Sequence, residues 1–106
     1  MKVIYYEKKK HPREMDVPKE EISDLIGDNM NVEEMLCGVA IVWGKHEQQH
    51  RSNYHRKIFI TRQEGSEIKS HVTSMYDNFF VCGYHNGEMK DFPEQFKKEI
   101  MAMVGI

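Results

Sequence analysis

Apolar and polar residues alternate along much of this chain, and the period of the alternation indicates which segments form strands and which form helices. In the N-terminal part, residues 2–7 and 13–17 follow the two-residue period of strands, and the first segment is rich in β-branched and aromatic side chains. Residues 8–12, which include three lysines, lie between the two segments and predict a chain reversal. The chain is therefore expected to begin with two short strands.

A helix is predicted next, because Ile22, Leu25 and Ile26 recur at the spacing of one helical face. Asp16 is of the residue type that caps a helix at its N-terminus. Gly27 is a natural stop after the last apolar residue.

A second helix is predicted at the C-terminal end of the chain. Asp91 and Glu94 have the spacing of a capping box. After this start, Phe92, Phe96 and Ile100 recur on one helical face.

The longest apolar run lies in the middle of the chain. Residues 32–43 predict one central strand, and the near-continuous apolar character of residues 39–43 is typical of a strand that is covered on both faces. Residues 44–53 carry no apolar side chain and predict an exposed connection.

The second half of the chain predicts three further strands, at residues 54–62, 78–84 and 89–91. Asn86-Gly87 is a strong signal for a two-residue hairpin between the last two of them. Residues 67–77 have an ambiguous pattern, and a short helix or an irregular crossover fits Ile68, Val72 and Met75.

Together these elements predict a single α+β domain over residues 1–106, with a mixed or antiparallel sheet of about five strands and two helices packed on one face. A chain of 106 residues with 40% hydrophobic and 30% charged residues has the size and composition of one globular core. Its apolar runs are too short to span a bilayer, and its N-terminus lacks an apolar signal core. We therefore expect a cytoplasmic protein that does not contact a membrane.

The charge balance argues against an overall field that attracts nucleic acid, because the formal net charge is -2. One local cluster stands out, formed by Lys8, Lys9, Lys10 and Arg13. Such a run is commonly a solvated loop. It is also a candidate contact to an acidic partner, and nucleic-acid binding through it remains an alternative hypothesis.

The string His46-Glu47-Gln48-Gln49-His50 matches the H-E-x-x-H pattern of zinc hydrolases, in which the two histidines share one helical face. Here no apolar residue accompanies the string, so a buried active-site helix is not expected. We predict an exposed loop with no metal and no other cofactor. A zinc hydrolase, or a metal site in which His55 joins His46 and His50, is the alternative.

Cys37 and Cys82 each lie inside an apolar stretch, and we interpret them as buried reduced thiols, with a disulfide between them as the alternative. Cys82 also precedes Gly83 at a strand end and lies three residues before His85, which is one way to place a nucleophile near a base. A core role fits it better, and we expect no enzymatic activity from this chain.

Several segments resemble a family of small bacterial proteins that are carried by phages, plasmids and conjugative elements. The resemblance is spread over six places, namely Met1-Lys2-Val3, Leu25-Ile26-Gly27, Val39 to Val42, Asn53-Tyr54-His55-Arg56, Phe79 to Gly83, and Gly87-Glu88. Members of the family usually carry an Asn-Arg pair near the third segment, so the resemblance makes Asn53 and Arg56 candidate binding residues.

What the resemblance implies is a genomic context, since the family has no activity that can be transferred. Small accessory proteins of mobile elements often bind a host protein stoichiometrically. We therefore expect a protein-binding module whose partner is another protein, such as a component of a host defence system like a CRISPR nuclease. A homodimer is a further arrangement that the sequence leaves open.

Overall fold

The computed structural model describes residues 1–26, 30–35, 38–44, 54–76 and 78–98, with the backbone alone for residues 54–57 and 76. These residues form strands β1 (Lys2–Tyr6), β2 (Arg13–Asp16), β3 (Met30–Met35), β4 (Val39–Gly44), β5 (Tyr54–Glu64), β6 (Glu67–Tyr76), β7 (Phe79–His85) and β8 (Glu88–Lys90). Helix α1 covers Ile22–Ile26, and 3-10 turns cover Lys19–Glu21 and Glu94–Phe96.

Six of these strands form the main sheet, in which every pair is antiparallel. Its order is β2-β1-β7-β4-β3, and β8 also pairs with β7. β5 and β6 form a separate two-stranded hairpin.

The centre of the main sheet is formed by β4 and β7, which pair from Val39 with Gly83 to Trp43 with Phe79. Both strands are almost continuously apolar and buried. Because successive side chains of a strand point to opposite faces, such a run has to be covered by two layers of structure.

The first covering layer is helix α1. Ile22 and Ile26 are buried against one face of the sheet, and Leu25 packs there half-buried, as the helical spacing predicted. The hydroxyl of Tyr5 in β1 donates to the carbonyl of Leu25 at 3.2 Å. The buried residues of this layer are Val3, Tyr5, Val17, Ile22, Ile26, Val42, Phe80 and Cys82.

The second layer covers the opposite face of the sheet and consists of the β5–β6 hairpin and the segment after β8. The rings of Tyr6 and Phe79 stack here with their centroids 4.8 Å apart. The buried residues of this layer are Ile4, Tyr6, Met35, Val39, Ile41, Ile58, Ile60, Met75, Phe79, Val81 and Phe92, with Trp43 and Phe96 partly buried against them.

The α+β class was predicted, and of the two predicted sheet types, mixed or antiparallel, the structure has the antiparallel one. The prediction of about five strands and two helices on one face is wrong. The described residues contain eight strands, and the segment after β8 packs on the face opposite α1. That segment shows a 3-10 turn followed by helical residues 97 and 98. The remainder of the predicted last helix, including Ile100, lies outside the described residues, as does the predicted helix stop at Gly27.

The structure has more strands than were predicted, and the additional strands arise at two places. The predicted central strand 32–43 is two antiparallel strands, since Met35 and Val39 are paired across a reversal of the chain. Residues 67–77, for which a helix or a crossover was considered, are largely strand β6. β6 pairs with β5 through a two-residue turn at Gly65 and Ser66.

Both predicted helix caps are wrong, because the two aspartates lie outside the helical turns. Asp16 ends β2, and the following 3-10 turn begins after Pro18 without a side-chain cap. Asp91 instead accepts a hydrogen bond from the backbone N–H of Lys2 at 2.8 Å. The backbone N–H of Phe92 donates to the carbonyl of Lys2 at 2.9 Å, so this segment is tied to the start of β1.

The predicted hairpin at Asn86-Gly87 is confirmed. His85 and Glu88 are paired, and both loop residues have positive φ, 50° and 78°. These angles are those of a type I′ turn, which asparagine and glycine adopt at low cost. No helix within the described ranges is long and apolar enough to cross a bilayer.

Candidate interaction surface

The basic run of residues 8–13 forms the reversal between β1 and β2. Lys10 Nζ lies 2.8 Å from one carboxylate oxygen of Glu7, and an Arg13 guanidinium nitrogen lies 2.9 Å from the other. The hydrogen bond from Lys10, followed by the one from Arg13, lowers the pKa of Glu7. Arg13 also lies over the ring of Tyr5, 5.1 Å from its centroid.

These contacts reduce the positive charge that the cluster presents to an acidic partner. Two of its four cations share the carboxylate of Glu7. The backbone N–H of Lys8 donates to Asn78 at 2.7 Å, and Lys9 occupies the left-handed region at φ 67°. The sequence analysis assigned Glu7 to the first strand, and that assignment did not indicate that its carboxylate would pair with Lys10 and Arg13.

The other predicted site residues lie in or next to the segment that precedes β5. Asn53, His46 and His50 lie outside the described residues, and His55 and Arg56 are described by their backbone at the start of β5. Among the residues that the structure does describe, no three His, Cys, Asp or Glu side chains are grouped to hold a metal ion. The zinc alternative therefore stays a prediction.

Cys82 is a core residue and is unsuited to act as a nucleophile. Its side chain is fully buried in the layer beneath α1. Burial raises the pKa of the thiol to about 12 and outweighs a backbone hydrogen bond from Lys90, which lowers it. The thiolate is the reactive form, so it is scarcely populated near neutral pH. Cys37, the other half of the disulfide alternative, lies outside the described residues.

The most distinctive surface of the described chain is one face of the β5–β6 hairpin. We call it the outer face and define it by three cross-strand rows, Phe59–Val72, Thr61–Ser70 and Gln63–Ile68. The apolar members are solvent-accessible, with Phe59 38%, Val72 53% and Ile68 66% exposed. In the middle row the hydroxyl oxygens of Thr61 and Ser70 are 2.9 Å apart.

The outer face carries no charged side chain in its three rows. Along a strand with one face in water, the side chains on the inner face are ordinarily apolar and those on the outer face are polar. In a chain with 30% charged residues, some of these outer side chains are expected to be charged. Here the exposed surface carries three apolar side chains, two hydroxyl groups and the amide of Gln63, which makes it a candidate contact surface.

The opposite face of the same hairpin carries the charges. An Arg62 guanidinium nitrogen donates to a Glu33 carboxylate oxygen of β3 at 2.7 Å, and His71 Nε2 lies 3.8 Å from that oxygen. Nearer the turn, Lys69 Nζ is 3.1 Å from Glu64. On this face Arg62 and His71 therefore point towards β3 of the main sheet, and Lys69 pairs with a charged residue of the hairpin itself.

The outer face was not predicted from the sequence, although part of its alternating pattern was recognised. The alternation in residues 54–62 separates Phe59 and Thr61 from Ile58 and Ile60. The matching alternation of β6 was not recognised, because Ile68 and Val72 also fit a helical spacing. A face made by two strands cannot be predicted when one of the strands is unassigned.

Comparison with protein-family models, with curated proteins and with solved structures found no match for this chain. The function is therefore inferred from the residues themselves.

Proposed function

We propose that this chain is a protein-binding module that contacts its partner through the outer face of the β5–β6 hairpin. The observation that carries the proposal is the exposure of Phe59, Val72 and Ile68 on a surface without charges. Exposed apolar patches on small proteins mark contact sites more often than single scattered side chains do.

The size of the outer face sets a limit on what it contributes. Three rows on two strands cover on the order of 250 Å². Burying that area, counted as apolar, contributes at most about 6 kcal/mol. Association costs about 4 kcal/mol or more, so a tight complex needs further contacts.

The backbone of the hairpin supplies a second kind of contact. Within the described ranges, the sheet that contains β5 and β6 has these two strands and no third. β6 therefore has an edge at which a partner can add a strand through main-chain hydrogen bonds, whereas β5 contacts β3. Edge pairing beside an apolar face favours a partner that presents an extended, weakly charged segment.

The proposed partner class is a bacterial protein of a host defence system, and the resemblance to small proteins of mobile elements supports this choice. Stoichiometric binding fits a chain whose exposed features are a strand edge and an apolar face. A CRISPR nuclease is one member of this class.

The test is affinity capture from a bacterial host extract with three forms of the full chain. Val72→Lys places a charge in the outer face. Met30→Lys is the matched control, because Met30 is another exposed apolar residue, 42% accessible, and lies on β3. A captured protein is identified by mass spectrometry, purified, and mixed with each form.

We expect the purified partner to form an equimolar complex with the natural chain and with Met30→Lys, and to lose it with Val72→Lys. Equal binding by Val72→Lys contradicts the outer face as the contact surface. A purified partner that fails to bind any of the three forms contradicts the proposed function.

A further inference from the structure

We propose that the partner protein adds an extended segment as a strand antiparallel to β6, at the edge of β6 that faces away from β5. We call this edge the free edge. The inference rests on the proposed function, since it takes the hairpin as the contact surface. It adds the mode of binding, the main-chain groups that make the contact, and the sequence pattern of the partner's segment.

The turn of the hairpin determines which main-chain groups of β6 point to the free edge. Glu64 and Glu67 flank the two-residue turn and are paired, and residues in that position exchange both of their main-chain hydrogen bonds. Hydrogen-bonded and non-hydrogen-bonded pairs then alternate along the two strands, so the three rows of the outer face are all non-hydrogen-bonded pairs. The N–H and C=O groups of Ile68, Ser70 and Val72 therefore point away from β5.

The stretch of β6 that carries these groups is open to solvent. Residues 67–72 are all exposed, so both faces of the strand are accessible there. Within the described part of the chain, β6 pairs with β5 alone, and no main-chain hydrogen bond from another segment reaches the free edge. Six residues of a strand span about 20 Å, which allows a partner segment to form up to about six main-chain hydrogen bonds.

The free edge differs from an edge of the main sheet in how it is protected. β2 is four residues long, and its residues Glu14 and Asp16 form ion pairs with Lys97 and with the N-terminal amine. Short, charged edge strands discourage pairing with another chain. β6 is ten residues long, contains no proline and keeps a regular register from Glu67 to Ser74. An edge of this length and regularity favours strand addition.

The side chains beside the free edge indicate which partner segment fits. An antiparallel partner is favoured because antiparallel pairs are the more stable, and residues directly opposite each other then lie on the same face. A partner residue bonded to Val72 or Ile68 therefore lies on the outer face, where an apolar side chain packs beside them. On the other face, Lys69 Nζ lies 3.1 Å from Glu64 and 3.9 Å from Glu67, so its charge is balanced within the hairpin. The fitting segment alternates apolar with uncharged polar residues.

Two synthetic peptides test this arrangement on the unchanged full chain. Both alternate valine with threonine over the length of the exposed stretch and carry a lysine at each end for solubility. In the first peptide every threonine is N-methylated, so the valine N–H groups remain for pairing with β6 and the opposite edge has no donors for aggregation. In the second peptide every valine is N-methylated, which removes the donors that would face β6.

Nuclear magnetic resonance titration measures the binding of each peptide. We expect the first peptide to shift the amide signals of Ile68, Ser70 and Val72 with a dissociation constant of about 0.1 to 1 mM, and the second to bind at least about tenfold more weakly. Tighter binding of the second peptide contradicts the antiparallel register, and equal binding contradicts main-chain pairing. No shift of these signals by the first peptide at about 5 mM overturns the inference.

Ser70→Pro tests the same edge from the side of the protein. The N–H of Ser70 points away from β5, so proline removes no main-chain hydrogen bond of the hairpin, and proline is tolerated on edge strands. Ser70→Ala is the matched variant, because it loses the same hydroxyl and keeps the N–H. We expect Ser70→Pro to bind the first peptide and the captured partner at least about tenfold more weakly than Ser70→Ala does. Circular dichroism shows whether both keep the fold, and equal binding by two folded variants overturns the inference.

Failure of the inference and failure of the proposed function give different results. A purified partner whose binding is weakened by Val72→Lys, but is equal for Ser70→Pro and Ser70→Ala, removes strand addition and keeps the outer face as the contact surface. A first peptide that pairs with β6 as expected, in a chain whose purified partner candidates never bind, keeps the strand-binding edge and removes the proposed function.

Discussion

Gly83 occupies a position in β7 where a side chain has no room. A Cβ placed there would lie 2.2 Å from the carbonyl oxygen of Asp91 and 3.3 Å from that of Lys90. β1 pairs with residues 79–81 of β7 and β8 with residues 83–85, on the same side of the strand. The chain leaves β8 over Gly83, and it is held there by the hydrogen bonds between Lys2 and residues 91 and 92.

Gly83→Ala should therefore force the backbone of the crossing segment to move and should destabilise the protein by about 2 kcal/mol or more. Gly65→Ala is the comparison, because no heavy atom lies within 4 Å of a Cβ there and its φ of 62° alone is unfavourable. That variant should cost about 1 kcal/mol. Urea denaturation measures both, and a smaller loss for Gly83→Ala than for Gly65→Ala would contradict the close approach.

The buried thiol of Cys82 gives a pH-dependent prediction. Its pKa is raised from 9.0 to about 12 in the folded protein, so between these values the unfolded chain loses a proton that the folded chain keeps. The stability that this difference provides is present below pH 9 and is lost as the pH rises towards 12, by up to about 1.4 kcal/mol per pH unit.

Comparing the natural chain with Cys82→Ala isolates this contribution from that of other groups that titrate at high pH. Above pH 9, the free energy of unfolding should fall more steeply for the natural chain. Equal slopes would show that the thiol is accessible to water in the folded state.

Single residues also show why local sequence rules succeed or fail. Asn86 and Gly87 were assigned correctly, because a type I′ turn is decided by two adjacent residues. Asp91 was assigned as a helix cap from its local spacing, whereas its carboxylate binds Lys2, 89 positions away in the sequence. A residue whose partner is that distant cannot be assigned from its neighbours.

At the scale of elements, apolar contacts and not ion pairs should hold the β5–β6 hairpin to the main sheet. Ile58, Ile60 and Met75 are buried in the layer that covers the sheet. The ionic contact of Arg62 with Glu33 is partly exposed, with 42% and 20% of the two side chains accessible. Partly exposed ion pairs stabilise proteins by at most about 1 kcal/mol.

Ile60→Ala should accordingly cost about 3 kcal/mol, and Glu33→Gln less than about 1 kcal/mol. Chemical denaturation gives both values, and amide hydrogen exchange in β5 and β6 shows whether the hairpin opens separately. A larger loss for Glu33→Gln would mean that the ion pair is the main attachment.

The elements that were missed share a physical cause. Residues 32–43 looked like one strand because apolar residues at Met35 and Val39 flank the reversal without a strong turn signal between them. β6 was ambiguous because Ile68, Val72 and Met75 also fit a helix. Pairing with a neighbouring strand decides such cases, and that pairing is a property of the fold and not of the segment.

At the scale of the whole molecule, the sequence predicted the α+β class but not the arrangement. β1 lies beside β7, so residues 4 and 81 are partners. Local periodicity carries no information on such a distant pairing, nor on which face of the sheet each covering element takes. The outer face depends on this arrangement, and the predicted binding residues Lys8, Lys9, Lys10 and Arg13 lie at the reversal between β1 and β2 instead.

The measurement that tests the central claim most directly is the affinity of the identified partner protein for the natural chain, Val72→Lys and Met30→Lys, by isothermal titration calorimetry. The account predicts that Val72→Lys binds at least about thirtyfold more weakly, whereas Met30→Lys binds like the natural chain. Equal affinities for all three would show that the partner binds elsewhere on the molecule.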